Sequence, residues 1–415
     1  MKILLTSIGS RGDMEPFLAI AEILKKRGHK VICVFPEQFR SLAEDSDFEF
    51  ASLGSKFIEM LNSETGKTVM GGGYSGIRKL FAYIKLAKEF SGTNKDMLIA
   101  QKEIIEREKP DKIVRNAKAI YPLIQDLDRT PQNILISPVP YMHYVKGHPH
   151  IGFHKNYGNF INKLTFKLAD FGLAATVKSS LKWVNEKKRS LKQIKNTIAN
   201  SKTIYTISPT LVPKPTNWPD HLQILGFHER DKTVNWQPSS DLQNFLKFHK
   251  KILFISFGSM TNPHPAEKTK MFLDIVTKHN IPTIINCGAG GLVQPKEYNQ
   301  ELIHFVDRVP YDWLFPKMHA VIHHGGSGTT HMGIKNGCAT MIIPHIVDQF
   351  VWNRIIAEKG AGPTGPPINT ITAENLEPKI LDLFNHQQYK DKAETLAHQM
   401  AQEQFQDQLC ASILA

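Results

Sequence analysis

The residues best suited to chemistry lie in Ala320 to Gln349, A-V-I-H-H-G-G-S-G-T-T-H-M-G-I-K-N-G-C-A-T-M-I-I-P-H-I-V-D-Q. His323 and His324 close a short apolar run, and Gly325-Gly326-Ser327-Gly328 follows at once. Glycines let backbone N–H groups approach an anion, and a helix start adds unpaired donors and the positive end of a dipole. His324, at the mouth of this turn, can donate a further hydrogen bond to a phosphoryl oxygen. A Gly-rich turn with a satisfied histidine is the plainer reading. The Asp348-Gln349 pair just past the next apolar run favours the phosphate reading.

These residues need elements to hold them. Ala320 to Ile322 reads as a buried strand, a helix starts at Thr329 or Thr330, and Asn336-Gly337 stops it. Cys338 to Ile343, closed by Pro344, is a second buried strand. The unit is strand, turn, helix, strand.

The chain repeats this logic at its start. Lys2 to Ile8 is a strand pattern, Gly9-Ser10-Arg11-Gly12-Asp13 a turn, and Pro16 precedes an apolar helical spacing that Gly28 ends. With His29 to Phe35 this makes a βαβ unit of the doubly wound type. The turn is not G-x-G-x-x-G, so a dinucleotide site is disfavoured even with Glu37 placed past the second strand.

Further along, helices are expected over 77–90 and 96–108, with a Gly71-Gly72-Gly73 loop before them, and strands near 110–114 and 133–137. Pro138-Val139-Pro140-Tyr141-Met142-His143-Tyr144 follows the latter, where open α/β sheets bind ligands. His143, His148, His150 and His154 are irregularly spaced and lack nearby Cys or carboxylates, which disfavours metal. An acceptor-lining loop is the stronger reading. In 160–200, lysines alternate with Val177, Leu181, Val184, Leu191, Ile194 and Ile198, as on a solvated basic helix face or a membrane-facing one.

The second half restarts with a strand at 251–257 ending in Gly258-Ser259-Met260, then a helix over 265–279, strands at 281–286 and 304–306, and Arg308-Val309-Pro310-Tyr311-Asp312-Trp313. The expected domains are 1–232, a linker 233–240, and 241–385, with helices over 386–415 returning toward the first domain. At 415 residues two domains are expected.

Composition excludes several classes. Hydrophobic residues are 41% and charged residues 22%, as in globular proteins with real cores. The four cysteines are scattered and never C-x-x-C, so neither a disulfide framework nor a zinc site is indicated. Lys2 and the apolar residues after it are too few for a signal peptide, and no run reaches the ~18 apolar residues of a membrane span. A cytoplasmic protein is expected, in peripheral contact with membrane at most. The net charge of +12 suits anionic ligands or an anionic membrane, while no nucleic-acid module is present.

These motifs together resemble the family 1 nucleotide-sugar glycosyltransferases of GT-B architecture, two doubly wound Rossmann-like domains facing across a cleft. The similarity is greatest to the branch of sterol glucosyltransferases and of enzymes that glycosylate glycopeptide and macrolide antibiotics. Gly9-Ser10-Arg11-Gly12-Asp13 with Pro16 matches the branch's G-S-R-G-D-x-x-P, whose Asp is the proposed general base. Phe257-Gly258-Ser259 matches its phosphate-facing turn, and Arg308-Val309-Pro310 the segment that brackets the base. His324-Gly325-Gly326-Ser327-Gly328-Thr329-Thr330 matches its diphosphate loop, and Asp348-Gln349 the pair that binds sugar hydroxyls. Position 15 is Glu where Gln is common, and Met332 stands where plant relatives have a ribose-binding Glu.

The resemblance implies Asp13 and His324 as catalytic residues. Donor contacts fall to Ser10, Arg11, Gly12, Gly258, Ser259, Val309, His324, Gly326, Ser327, Gly328, Thr329, Asp348 and Gln349. Met70, Pro138, Tyr141 and His143 are assigned to a lipophilic acceptor. A UDP- or TDP-sugar is the co-substrate, and no cofactor or metal is expected, since no D-x-D stands within the donor motifs to hold one. The alternatives are a sugar-nucleotide epimerase of the same architecture and a non-catalytic nucleotide-sugar sensor.

Overall fold

The structure is a computed structural model describing residues 1–61, 76–128, 132–153, 155–230, 232, 236–262, 264–288 and 291–415. The chain forms two compact units. Met1–Ser63, Tyr83–Arg230 and Gln404–Ala415 belong to the first, and Asp231–Glu403 is the body of the second. The sequence division at 230/231 lies just before the proline- and serine-bearing stretch read as a linker. The segment 386–415 is itself divided: helix Gln387–Ala401 lies in the second unit and only the final helix, Gln406–Leu414, in the first.

The first unit is built on a parallel sheet of seven strands in the order β3-β2-β1-β4-β5-β6-β7. These are β1 (Lys2–Thr6), β2 (Lys30–Phe35), β3 (Glu49–Ser52), β4 (Lys112–Arg115), β5 (Ile134–Ser137), β6 (Thr203–Tyr205) and β7 (Leu222–Ile224). Both faces are covered, which is why the strands read as unbroken apolar runs. Successive side chains point to opposite faces. Ile3, Leu5, Val31, Cys33 and Phe35 therefore enter one core, with Met14, Phe17, Leu18, Ala21 and Leu24 of helix Arg11–Lys26. Leu4, Ile32 and Val34 enter the other, with Met97, Leu98, Ile104 and Ile105. Leu409, Cys410 and Ile413 of the final helix complete the first of these cores.

One helix, Gly76–Glu108, replaces the two expected over 77–90 and 96–108. The intervening Ser91-Gly92-Thr93-Asn94-Lys95 contains no proline, and an interior glycine costs a helix only about 1 kcal/mol. The loop expected at 71–73 lies outside the described residues.

The second unit carries five parallel strands in the order β10-β9-β8-β11-β12. These are β8 (Leu253–Ser256), β9 (Thr283–Asn286), β10 (Ile303–Val306), β11 (Ala320–His323) and β12 (Ala339–Ile342). In each sheet the first strand has the second and fourth of its unit as neighbours. The winding direction reverses between β1 and β4, and again between β8 and β11. Ligands bind open α/β sheets at the carboxyl ends of the strands at such a switch point. The motifs at Gly9–Asp13 and Phe257–Ser259, and the one beginning at His324, all sit there.

Candidate active site

At the first switch point, β1 runs out through Ser7 and Ile8 into helix Arg11–Lys26, and β4 runs out into Asn116 to Ala119. The two ends are tied by Asn116, whose Nδ2 donates to Ser7 Oγ at 3.0 Å and to the Ile8 carbonyl at 2.8 Å. Asp13 occupies the third position of the helix. Its Oδ2 accepts from the Ser10 N–H at 2.8 Å and Ser10 Oγ at 3.2 Å, closing a capping box. Its Oδ1 accepts from Lys118 Nζ at 2.8 Å, so the carboxylate bridges the β1 and β4 sides of the switch point. The carboxylate lies directly over Gly9, at φ +146°, where any Cβ would collide with it.

The Asp13 side chain is 29% exposed, so an oxygen bound this way still meets solvent. The ion-pair partner is Lys118, not the nearer-in-sequence Arg11. Arg11 Nε instead donates to Glu15 Oε1 at 2.9 Å, and Arg230 Nε to Glu15 Oε2 at 2.9 Å. The glutamate at position 15 thus holds a mostly buried arginine. Neither Lys118 nor Arg230 was legible, because both reach the site from distant sequence. Ser10 is half-buried, and Arg11 and Gly12 are exposed.

At the second switch point the helix begins at Ser327, ahead of the expected start at Thr329 or Thr330, and ends at Lys335 with Gly337 at φ +66° beyond it. Gly326 is its N-cap, and the Thr330 N–H and Oγ1 both donate to the Gly326 carbonyl. The amides of Ser327, Gly328 and Thr329 precede the first intrahelical bond and present donors at the helix N-terminus.

His324 is 9% exposed and is clasped between two glycines. A Cβ on Gly258 would stand 2.9 Å from its Cε1, and one on Gly326 would stand 2.5 Å from its Nε2. Burial lowers its pKa to about 4, leaving a neutral ring at pH 7. Its Nδ1 is buried without a hydrogen-bond partner. A neutral imidazole has one N–H to give, and a buried ring nitrogen without a partner at a ligand-binding edge can bond a ligand oxygen.

His323 shapes the turn, its Nδ1 accepting from the Gly325 N–H at 2.9 Å, while its Nε2 is likewise buried without a hydrogen-bond partner. Ser259 and Gly328 are exposed; Thr329, Val309 and Asp348 are half-buried. Gln349 is buried rather than on the surface: its Oε1 accepts from the N–H groups of His345 at 2.7 Å and Ile346 at 3.0 Å. Only its amide nitrogen is left for other partners, and it lies 3.5 Å from Met260 Sδ. Met332 is 9% exposed, in the apolar side of the loop's helix.

The expected acceptor residues separate. Tyr141 lines an apolar cavity of about 100 Å³ with Pro140, His148, Tyr205, Val212 and Trp218. It is held at φ +60° and stacks on His148 at 4.3 Å. His143 Nδ1 lies 2.6 Å from Tyr205 Oη, and burial lowers its pKa to about 4. Pro138 is half-buried at the end of β5 and outside that cavity. Met70 and His154 lie outside the described residues. His143, His148 and His150 engage separate neighbours, and no group of three or more potential metal-binding residues forms among the described residues.

Residues 3–118 match the glycosyltransferase family 28 N-terminal domain, and residues 295–413 the erythromycin biosynthesis protein CIII-like C-terminal domain. The chain is 29% identical to a sterol 3-beta-glucosyltransferase of Arabidopsis thaliana, covering 97% of this chain and 63% of that protein. It is 25% identical to a sterol 3-beta-glucosyltransferase of Saccharomyces cerevisiae, covering 96% of this chain and 34% of that protein. The chain therefore spans under two thirds of the length of these relatives.

Among solved structures, the calicheamicin glycosyltransferase CalG4 aligns with a TM-score of 0.70 at 15% identity, covering 100% of this chain and 97% of its own. The glycosyltransferase VinC in complex with dTDP aligns with a TM-score of 0.64 at 16% identity, covering 100% and 98%. The fold is GT-B, the architecture of these glycosyltransferases. The resemblance drawn from the motifs holds: the relatives are sterol glucosyltransferases, and the structural neighbours are antibiotic glycosyltransferases.

Proposed function

We propose that this protein is an inverting glycosyltransferase that moves a hexose from a UDP- or TDP-sugar to a hydroxyl of a lipophilic acceptor. The observation that carries the reading is the buried, unpartnered Nδ1 of His324 beside a glycine-capped helix start at the second switch point. Donors fixed before the reaction stabilise charge that develops during it. Here they meet the nucleoside diphosphate as it departs.

The reaction balances as a single displacement. The acceptor oxygen attacks the anomeric carbon, and its proton passes to the Asp13 carboxylate. The bond from that carbon to the phosphate oxygen breaks, and the diphosphate leaves with the electron pair. Ser10 and Lys118 orient Asp13 for this role through the bonds they make to its two oxygens. A base so placed contributes about 10²–10⁴-fold. The N–H groups of the helix start and His324 take the phosphoryl charge without a metal. Asp348, with the amide nitrogen of Gln349, orients the sugar, and Val309 flanks the base. The dTDP held by VinC and the glucosyl transfer named for the sterol relatives support these donor classes.

Incubating the protein with UDP-glucose, TDP-glucose and a panel of sterols, flavonoids and macrolides tests the reading. Mass spectrometry is expected to show a hexosyl adduct with release of one nucleoside diphosphate. Conversion of the donor to its epimer alone would overturn it. Where the acceptor is a sterol it resides in a bilayer, and for that acceptor the reading includes a protein that meets a membrane surface.

A further inference from the structure

The helix Asn159–Ser180 has two faces, and the described residues bury only one of them. Asn162, Thr165, Phe166, Ala174, Val177 and Ser180 are buried. Phe160, Ile161, Leu164, Leu168 and Phe171 are exposed, by 85%, 48%, 53%, 58% and 48%. At 3.6 residues per turn these five fall within an arc of about 100°, along roughly 16 Å of helix. Including Tyr157, six of the nine exposed large hydrophobic side chains among the described residues lie in these fifteen positions. The apolar positions picked out from sequence in this region, Val177, Leu181, Val184 and Ile194, are instead core. The exposed stripe is a different set.

The charge around the stripe is one-sided. Between Lys155 and Lys195 there are ten Lys and Arg residues against Asp170 and Glu186, a balance of +8 out of the chain's +12. Lys163 and Lys167 are exposed and rise from the edge of the stripe itself. Such a surface repels a second copy of itself. It matches an interface whose interior is apolar and whose rim is negative.

We infer that this face of helix Asn159–Ser180 docks on an anionic lipid bilayer, its apolar stripe entering the acyl boundary and its lysines staying at the headgroups. No helix among the described residues is long and apolar enough to cross a membrane. The lipophilic-acceptor reading gives this surface a purpose. Vesicle binding is measured without donor or acceptor, so either idea can fail while the other stands.

The test is sedimentation of the full chain with phosphatidylcholine vesicles, with and without phosphatidylglycerol. The full chain is expected to bind the anionic vesicles and to bind the neutral ones weakly. The Leu164→Ser/Leu168→Ser double variant is expected to lose about tenfold in affinity with an unchanged melting temperature, as removal of inserted apolar area requires. Lys163→Glu/Lys167→Glu is expected to erase the preference for anionic lipid. Three outcomes overturn the inference. The protein stays in the supernatant with anionic vesicles, or the Leu pair changes nothing, or analytical ultracentrifugation shows a dimer that only the Leu substitutions dissociate and that does not bind vesicles.

Discussion

The glycine clasp on His324 gives a sharp test, because Gly326→Ala adds one methyl group and nothing else. Gly326 sits at φ −61° and ψ 138°, which alanine adopts without strain, so any effect is steric. The new Cβ would stand 2.5 Å from His324 Nε2, and the ring is so close to Gly258 on its other side that even an added Cβ there would stand only 2.9 Å from Cε1. Ordinary contact needs the ring to move by about 1 Å, and a displacement of that size at a reacting group costs about 10²-fold. Overpacking of this kind also lowers stability by about 1–3 kcal/mol. The assay is kcat/KM for the donor, from release of nucleoside diphosphate, in four proteins: wild type, Gly326→Ala, His324→Ala and the double variant. Removing the ring alone is expected to cost about 10²–10³-fold, as for loss of one charge-stabilising donor. In the ring-less background Gly326→Ala is expected to cost almost nothing further. Equal costs of Gly326→Ala with and without the ring would refute the clasp.

Asp13→Asn keeps an oxygen for the Ser10 N–H, so the helix start survives; transfer is expected to fall about 10²–10⁴-fold while donor binding by calorimetry is unchanged. Glu15→Ala leaves Arg230, whose side chain is 10% exposed, without its carboxylate; urea unfolding is expected to show a loss of about 1–3 kcal/mol, and Glu15→Gln a smaller one. Burial lowers the pKa of His324 and His331 to about 4 and of His345 to about 3, and pushes His323 well down. Between the ordinary histidine range and those values the unfolded chain binds more protons than the folded one, so stability is full above about pH 6.5 and falls as pH drops toward 4. Melting temperature followed over that window is expected to decline steadily, and a flat profile would contradict the burial of neutral rings.

The strand-turn-helix-strand unit around His324 was legible because its apolar runs and its glycines each have one economical reading. The same holds for β1, its turn and the helix that follows. What escaped the sequence depends on crossover connections. Lys118 reaches Asp13 only because β4 is the neighbour of β1, a pairing the chain makes after more than a hundred residues. Arg230 reaches Glu15 across an even longer separation. Gln349 reads as a polar residue available to a sugar, yet its carbonyl is taken by two backbone amides. The exposed stripe of helix Asn159–Ser180 escaped because an apolar helical period does not say which face will find a partner within the fold.

The central claim is that a hexose held at the His324 loop is displaced once, from the side opposite the diphosphate. The most direct measurement is the anomeric configuration of the product made from α-configured UDP- or TDP-glucose, read from proton NMR coupling at the anomeric carbon. A β-linked glycoside, formed with one nucleoside diphosphate released per linkage, is the predicted result. An α-linked product would contradict single displacement, and free sugar or epimerised donor without glycoside would contradict transfer itself.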